Sequence, residues 1–215
     1  MVPVLSTDST RFPSVDTRPG TSLIAIGGDL STDRLLAAYR QGIFPWYAEG
    51  DPILWHCPSP RFVLFPGDLR IHKSFRSVLR NHTYTLTTDQ AFDRVIRACA
   101  TIPRPGQDGT WIHPEMIRAY SDLHALGHAR SVEVWDGDDL VGGLYGVRLG
   151  GVFFGESMFS AVSDASKLAL HNLCQDPTIG VIDCQVHTDH LERMGACNVP
   201  GERFQDLLHA HLGRN

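Results

Sequence analysis

The chain has 215 residues, a formal net charge of −5, and 42% hydrophobic and 20% charged residues. That is ordinary for a soluble globular chain of one large or two unequal domains, and it excludes a surface coated in basic residues, though not a local basic patch that meets nucleic acid. No apolar run approaches the ~20 residues of a membrane span, the N-terminus lacks a signal-peptide pattern, and five scattered cysteines (Cys57, Cys99, Cys174, Cys184 and Cys197) without a CxxC spacing predict free thiols in a reducing cytosol.

Residues 1–22, rich in Pro, Ser, Thr and Asp, read as an irregular arm. Leu23-Ile24-Ala25-Ile26 is a short apolar run ended by the turn Gly27-Gly28-Asp29. A helix capped by Ser31 or Thr32 then runs to about Arg40, with Leu35, Leu36 and Tyr39 on one face and Gly42 as its stop. Gly42-Ile43-Phe44-Pro45-Trp46-Tyr47 is not helix. Aromatics around a proline make either a packed loop or the wall of a pocket. After the short strand Ile53-Leu54-Trp55, the rigid run Cys57-Pro58-Ser59-Pro60-Arg61 cannot continue a helix or a central strand. It predicts a boundary between a unit of residues 1–61 and one of residues 62–215.

The second unit opens on a strand, Phe62 to Phe65, and a helix from Leu69 to Asn81 with Ile71, Phe75, Val78 and Leu79 toward the core. Its other face carries Arg70, Lys73, Arg76 and Arg80 without an interleaved acid. Such a face is either merely solvated or a binder of anions. The strand Tyr84-Thr85-Leu86-Thr87 leads to a helix capped by Thr88 or Asp89 and ending near Ala100. The loop Thr101 to Gly109, with two prolines and two glycines, suits a lid and delivers Thr110-Trp111-Ile112. Pro114 starts the next helix, which Gly127 ends.

Ser131-Val132-Glu133-Val134-Trp135 alternates as a strand does. Two more strands follow, Leu140 to Val147 and one opening at Gly150-Gly151. The last of these reads Val152-Phe153-Phe154-Gly155-Glu156-Ser157-Met158-Phe159-Ser160. A carboxylate in so apolar a run must be paired, solvated by a cleft, or protonated, unless it sits at a strand end and reaches solvent. Gly155 before it permits a bulge or a close backbone approach. The helix start after it, at about 164, makes a site for a polar or anionic ligand plausible chemistry. Beyond that helix, Val181-Ile182-Asp183-Cys184-Gln185-Val186 is a strand. Period two puts Asp183 and Gln185 on one face and Cys184 on the other, toward the core. A short helix near Thr188 and a last one from about Glu202 to Leu212 close the chain.

The fold class is α+β: a small N-terminal α+β domain, then a domain with a mixed, mostly antiparallel sheet. Two helices, a three-strand meander, then helix, strand and helix is the order of the acetyltransferase-like (GNAT) fold. In that fold Glu156 and the face of Asp183 and Gln185 meet where the central strands splay. An acyl-CoA site needs a glycine-containing pyrophosphate loop before the helix at 164. Phe159 to Ala165 contains no glycine. A metal site from Cys184, His187, Asp189 and His190 crowds four ligands into seven residues around a strand end, unlike the usual spacings. A non-catalytic RNA-binding module has no use for the converging polar residues.

Seven blocks together resemble the leucyl/phenylalanyl-tRNA–protein transferase family. They are Gly27-Gly28-Asp29-Leu30, Gly42-Ile43-Phe44-Pro45-Trp46, Thr110-Trp111-Ile112, Ser131 to Trp135, Gly155 to Ser160, Ala165-Ser166-Lys167 and Ile182-Asp183-Cys184-Gln185. The resemblance implies an enzyme that moves Leu, Phe or Met from aminoacyl-tRNA to proteins beginning with Arg or Lys, marking them for N-end-rule degradation. It implies a cytoplasmic monomer without metal or coenzyme. It implies Glu156, Asp183 and Gln185 as catalytic residues at the reacting centre and Trp46 and Trp111 around the donor side chain, with Leu144, Phe153 and Ser157 beside them. It sets Lys73, Arg76 and Arg80 against the acceptor stem. The chain departs from the family pattern at His56, where a second tryptophan is common, and at Ala161, where Arg is usual; the second change thins the positive charge near nucleic acid. Which of the three polar residues orients, attracts or takes a proton stays open on sequence.

Overall fold

The computed structural model describes residues 2–15, 20–102 and 111–213. The expected lid loop falls, over 103–110, outside the described residues. The first elements are β1 (Val4–Leu5), β2 (Leu23–Gly27), α1 (Thr32–Tyr39), β3 (Phe44–Pro45) and β4 (Leu54–His56). They form a four-stranded sheet in the order β1-β2-β4-β3. Ser31 holds the N-cap position of α1 but its side chain makes no capping bond. Asp29 supplies the local bond instead, accepting from Ser31 N–H at 2.9 Å.

Next come β5 (Arg61–Leu64), a 3₁₀ turn at Pro66–Asp68, α2 (Lys73–Asn81), β6 (Thr85–Thr88), α3 (Phe92–Thr101) and α4 (Pro114–Ala125). Then follow β7 (Ala129–Asp136), β8 (Asp139–Leu149), β9 (Val152–Ser160), α5 (Ala165–Cys174) and β10 (Val181–Gln185). The chain closes with α6 (Asp189–Arg193), β11 (Cys197–Val199) and α7 (Gly201–Leu212). The second sheet has seven strands in the order β11-β5-β10-β9-β8-β7-β6. All its pairings are antiparallel except β9 with β10. This meander, crossover helix and parallel neighbour form the acetyltransferase-like arrangement expected from the element order.

One cluster of buried side chains joins Ile24, Tyr39, Phe44 and Trp55 from the first unit to Val63, Tyr120, Tyr145, Phe154 and Phe204 from the second. A second cluster lies around α5, with Phe62, Phe153, Leu168 and Ile182. Burial of such side chains is the main term that holds these layers together.

Two expected helix starts move. The basic helix begins at Lys73, not Leu69, because the chain ahead of it is tied to the turn after α6. Arg70 N–H donates to the Met194 carbonyl at 2.8 Å, and His72 Nε2 to that of Arg193 at 2.8 Å. The cap of α3 is neither Thr88 nor Asp89. Asp89 takes a left-handed backbone, φ 57°, and its carboxylate accepts from Ser131 N–H at 2.8 Å. The buried Glu133 of β7 serves the helix start instead. It accepts from Gln90 and Ala91 N–H, both at 3.4 Å, and from the hydroxyls of Thr87 and Ser131, both at 2.5 Å. Glu133→Ala strands these donors, at about 1–3 kcal/mol per buried group left unpaired. Urea unfolding is expected to show a loss of at least about 3 kcal/mol. An unchanged midpoint would mean that water replaces the carboxylate without cost.

Candidate functional site

The parallel pairing of β9 and β10 runs from Val152↔Val181 to Phe154↔Asp183 and stops there. Two irregularities sit at that point. On β9, Gly146 of β8 pairs with Gly155 and Tyr145 with Ser157, so Glu156 is the extra residue of a bulge. On β10, Val63 of β5 pairs with Asp183 and Phe62 with Gln185, so Cys184 is extra. Gln185 then takes a left-handed backbone with φ 63°. A regular strand shows alternate residues to one side. Here Gly155, Glu156, Ser157 and Met158 all border the cavity, as do Cys184 and Gln185.

The cavity has a volume of about 400 Å³. Its apolar wall is built by Leu144 of β8, Phe153 and Met158 of β9, Leu170 and Leu173 of α5, and Ile182 of β10. Phe44, Pro45 and Trp46 of the first unit and Trp111 also border the cavity. The aromatic run after Gly42 is therefore both packing and wall: Phe44 is buried, while Trp46 is 43% exposed at the rim. α5 contributes its later residues, not its N-terminus. The amide of Ser166 there is already taken by Ser160 Oγ at 2.8 Å.

Glu156 is 7% exposed and lies in a network that joins four elements. Tyr39 of α1 donates to its Oε1 at 2.7 Å, Tyr120 of α4 to Oε2 at 3.1 Å, and Gln185 Nε2 to Oε1 at 2.8 Å. The two tyrosine hydroxyls also touch each other. Burial pushes the Glu156 carboxyl up to about 7. The tyrosine and Gln185 hydrogen bonds pull it down, and the Asp183 charge pushes it further up. The same burial, and the carboxylate beside them, raise both phenols well above their ordinary value.

Asp183 is fully buried but does not border the cavity. The bulge at Cys184 breaks the alternation that was expected to put Asp183 and Gln185 on one face. The Asp183 carboxylate is gripped by the buried guanidinium of Arg61, Nε to Oδ1 at 2.7 Å and Nη2 to Oδ2 at 2.6 Å. Cys184 packs against the core cluster around α5, as expected, and also borders the cavity. Burial and the neighbouring Asp183 push its thiol up, so it is not a thiolate at neutral pH.

Tyr39, Tyr120 and Arg61 are the residues that sequence reasoning missed. Tyr39 read as one more core position and Arg61 as the end of a linker. Of the four residues weighed as a metal set on sequence and set aside, Cys184 and His190 border the cavity. Among the described residues, His187, Asp189 and Glu192 come together, all exposed, which carries no metal assignment by itself. Lys73, Arg76 and Arg80 are exposed along α2, with Arg70 just ahead of them.

An apolar cavity that ends on a carboxylate and an amide, with its thiol held neutral, suits the positioning of an apolar group beside polar reacting atoms. With the acetyltransferase-like sheet, it fits the acyltransferase class. A sequence profile described as leucyl/phenylalanyl-tRNA protein transferase matches residues 63–209, and one for the N-terminal domain of the same enzyme matches residues 28–59. The protein of that name from Syntrophus aciditrophicus (strain SB) is 55% identical over 206 residues, 94% of this chain and 86% of the relative. That from Pseudomonas fluorescens (strain Pf0-1) is 49% identical over 217 residues, 99% and 96% of the two chains. The chain belongs to the leucyl/phenylalanyl-tRNA protein transferase family. Two solved structures are more distant, at 12% identity: a conserved protein of unknown function from Bacteroides thetaiotaomicron (TM-score 0.42) and a GCN5-related N-acetyltransferase from Kribbella flavida (0.36). They cover 73% and 76% of this chain, and 57% and 59% of their own; the sheet topology, not these likenesses, assigns the fold.

Proposed function

We propose that this chain transfers Leu, Phe or Met from aminoacyl-tRNA to the α-amine of proteins that begin with Arg or Lys, marking them for degradation. The observation that carries the reading is the apolar cavity opening on Glu156 and Gln185. The donor is an ester already activated by its tRNA. The acceptor α-amine, with a free pKa of about 7.7–8.0, is partly neutral near pH 7. Alignment is the main requirement, and it can supply up to roughly 7–11 kcal/mol. The donor side chain fills the cavity between Trp46, Trp111, Leu144 and Phe153, with Ser157 beside its backbone. Ionised Glu156 holds the donor's ammonium. Gln185 spends its Nε2 on Glu156, so its Oε1 is the end left to accept from the attacking amine. The amine nitrogen bonds to the ester carbon, the bond to the ribose oxygen breaks, and a proton passes from the amine to that oxygen.

A divided chain suits this work. Residues 1–61 supply one cavity wall and residues 62–215 the reacting groups. Among the described residues no helix is long and apolar enough to cross a membrane. On this reading the chain works as a monomer in the cytoplasm with tRNA. The acyl-CoA alternative loses further ground because the first free amide of α5 is capped by Ser160.

Lys73, Arg76 and Arg80 meet tRNA phosphates. Arg76→Glu with Arg80→Glu is expected to weaken all donor tRNAs alike, since phosphates carry no sequence information. The slope of log affinity against log salt should flatten by roughly 1.5–2, from two lost contacts. A loss confined to one tRNA would contradict this. Single-turnover transfer from charged tRNA to a peptide beginning with Arg, with uncharged tRNA as control, tests the function itself. Tight tRNA binding without transfer would leave only an RNA-binding module.

A further inference from the structure

We propose that Arg61 and Asp183 are a positioning pair: they hold Gln185 in its left-handed conformation, aim its amide at the attacking amine, and leave Asp183 no part in accepting the proton. The proposal rests on the aminoacyl-transfer reading of the site.

Both oxygens of Asp183 are engaged. Oδ1 takes Arg61 Nε at 2.7 Å and the backbone N–H of Gln185 at 2.9 Å, and Oδ2 takes Arg61 Nη2 at 2.6 Å. Neither side chain of the pair has any exposed surface. The fork-to-fork geometry fixes direction as well as charge. The guanidinium itself cannot swing away. It lies over the rings of Phe44 and Phe204, 4.9 and 4.6 Å from their centres. These rings come from β3 and α7, so elements far apart in sequence hold one cation in place. β5 delivers it, since Phe62, the residue after Arg61, pairs with Gln185.

What this rigid pair constrains is the backbone of Gln185. A φ of 63° is costly for a residue other than glycine. The hydrogen bond from its N–H to Asp183 offsets that cost locally. An ordinary extended backbone there would turn the side chain away from Glu156 and from the cavity. A proton acceptor must lie within hydrogen-bond reach of the proton, directly or through one water. Asp183 does not border the cavity, and it would have to surrender Arg61 to take a proton.

The test replaces the pair by a neutral one of similar shape, Arg61→Gln with Asp183→Asn, which avoids a buried orphan charge. For a folded variant, kcat is expected to fall on the order of 10²-fold through misaiming of Gln185. The donor KM should stay within about threefold and the kcat profile should keep its acid limb, with a midpoint no higher than in the wild type, because Glu156 is unaltered and only loses the Asp183 charge that raises it. Loss of that limb together with kcat, where Glu156→Gln retains the limb, would make Asp183 the proton acceptor and overturn the proposal. Should the double variant fail to fold, Phe204→Leu loosens the guanidinium without touching the cavity. It is expected to lower kcat about tenfold with KM and the acid limb unmoved; an unchanged kcat overturns the proposal. A wild type that transfers while the folded double variant keeps full kcat retires the positioning pair alone. A wild type that transfers nothing retires the reading of the site and the pair with it.

Discussion

Glu156→Gln is expected to cost transfer about 10²-fold in kcat/KM and, at the same time, to make the protein more stable at pH 8. The loss follows from removing a charged hydrogen-bond acceptor from the donor's ammonium, worth roughly 2–3 kcal/mol in a buried setting. The gain follows from linkage. The folded-state carboxyl titrates at about 7 against an ordinary 4.5. A carboxyl with a raised pKa is no burden below pH 4.5, where folded and unfolded chains both hold the proton. As pH rises from 4.5 to 7, the unfolded chain ionises first and the folded state loses stability. The full penalty, on the order of 3 kcal/mol, stands above pH 7. A glutamine never incurs it, and the hydroxyls of Tyr39 and Tyr120 can turn to serve its amide. Denaturant unfolding at pH 4.5 and pH 8 should therefore show a difference between variant and wild type that grows with pH. The pH–rate profile should show an acid limb near 7 in the wild type that the variant lacks. The acceptor amine titrates separately, and replacing it by a less basic amine identifies its limb. A pH-independent stability difference would mean that Glu156 is ionised throughout, held by its three donors.

Much of this arrangement is legible in the sequence, and the parts that are not share a cause. The strands β7 to β9 announce themselves by alternation. The bulge at Glu156 is signalled by Gly155 and by a carboxylate that an apolar run could not otherwise carry. What escapes is long-range. Tyr39 reaches Glu156 across 117 residues and Arg61 reaches Asp183 across 122. No local pattern distinguishes those two from a core tyrosine and a linker arginine. Alternation also fails where it matters most. It sends Gln185 to the side of Asp183. The pairing of β10 with both β5 and β9 instead forces an extra residue at Cys184, and that places the amide at the cavity. The helix start at Lys73 shifts for the same reason, since a tertiary hydrogen bond from Arg70 to Met194 competes with the first helical turn. Periodicity predicts what each element is; the neighbours decide where it stops and which residue breaks its rhythm.

Trp111→Ala is expected to change which donors are accepted as well as how fast they react. Trp111 is partly buried, packs against the main core cluster and borders the cavity with Leu144 and Phe153. Ile112 beside it is 1% exposed, which anchors the ring's backbone. A slot between such walls admits an unbranched Cβ followed by apolar bulk, as in Leu, Phe and Met. Ile and Val branch at Cβ, next to the reacting ester, and meet the wall. Apolar contact alone separates substrates differing by one methylene by only about 1–3 kcal/mol, and Leu and Ile do not differ even by that. Rejection of Ile must therefore be steric. Removing the indole takes away contact area, so transfer of Leu and Phe should fall by about 2–4 kcal/mol, or ~30- to 1,000-fold. It also removes the wall, so Ile should lose less than Leu and the ratio between them should narrow. The measurement is kcat/KM for Leu-, Phe-, Met- and Ile-tRNA on a peptide beginning with Arg, in wild type and variant. A uniform loss across all four donors would make Trp111 a support for the cavity rather than a wall of it. Unchanged rates and ratios would return it to the core.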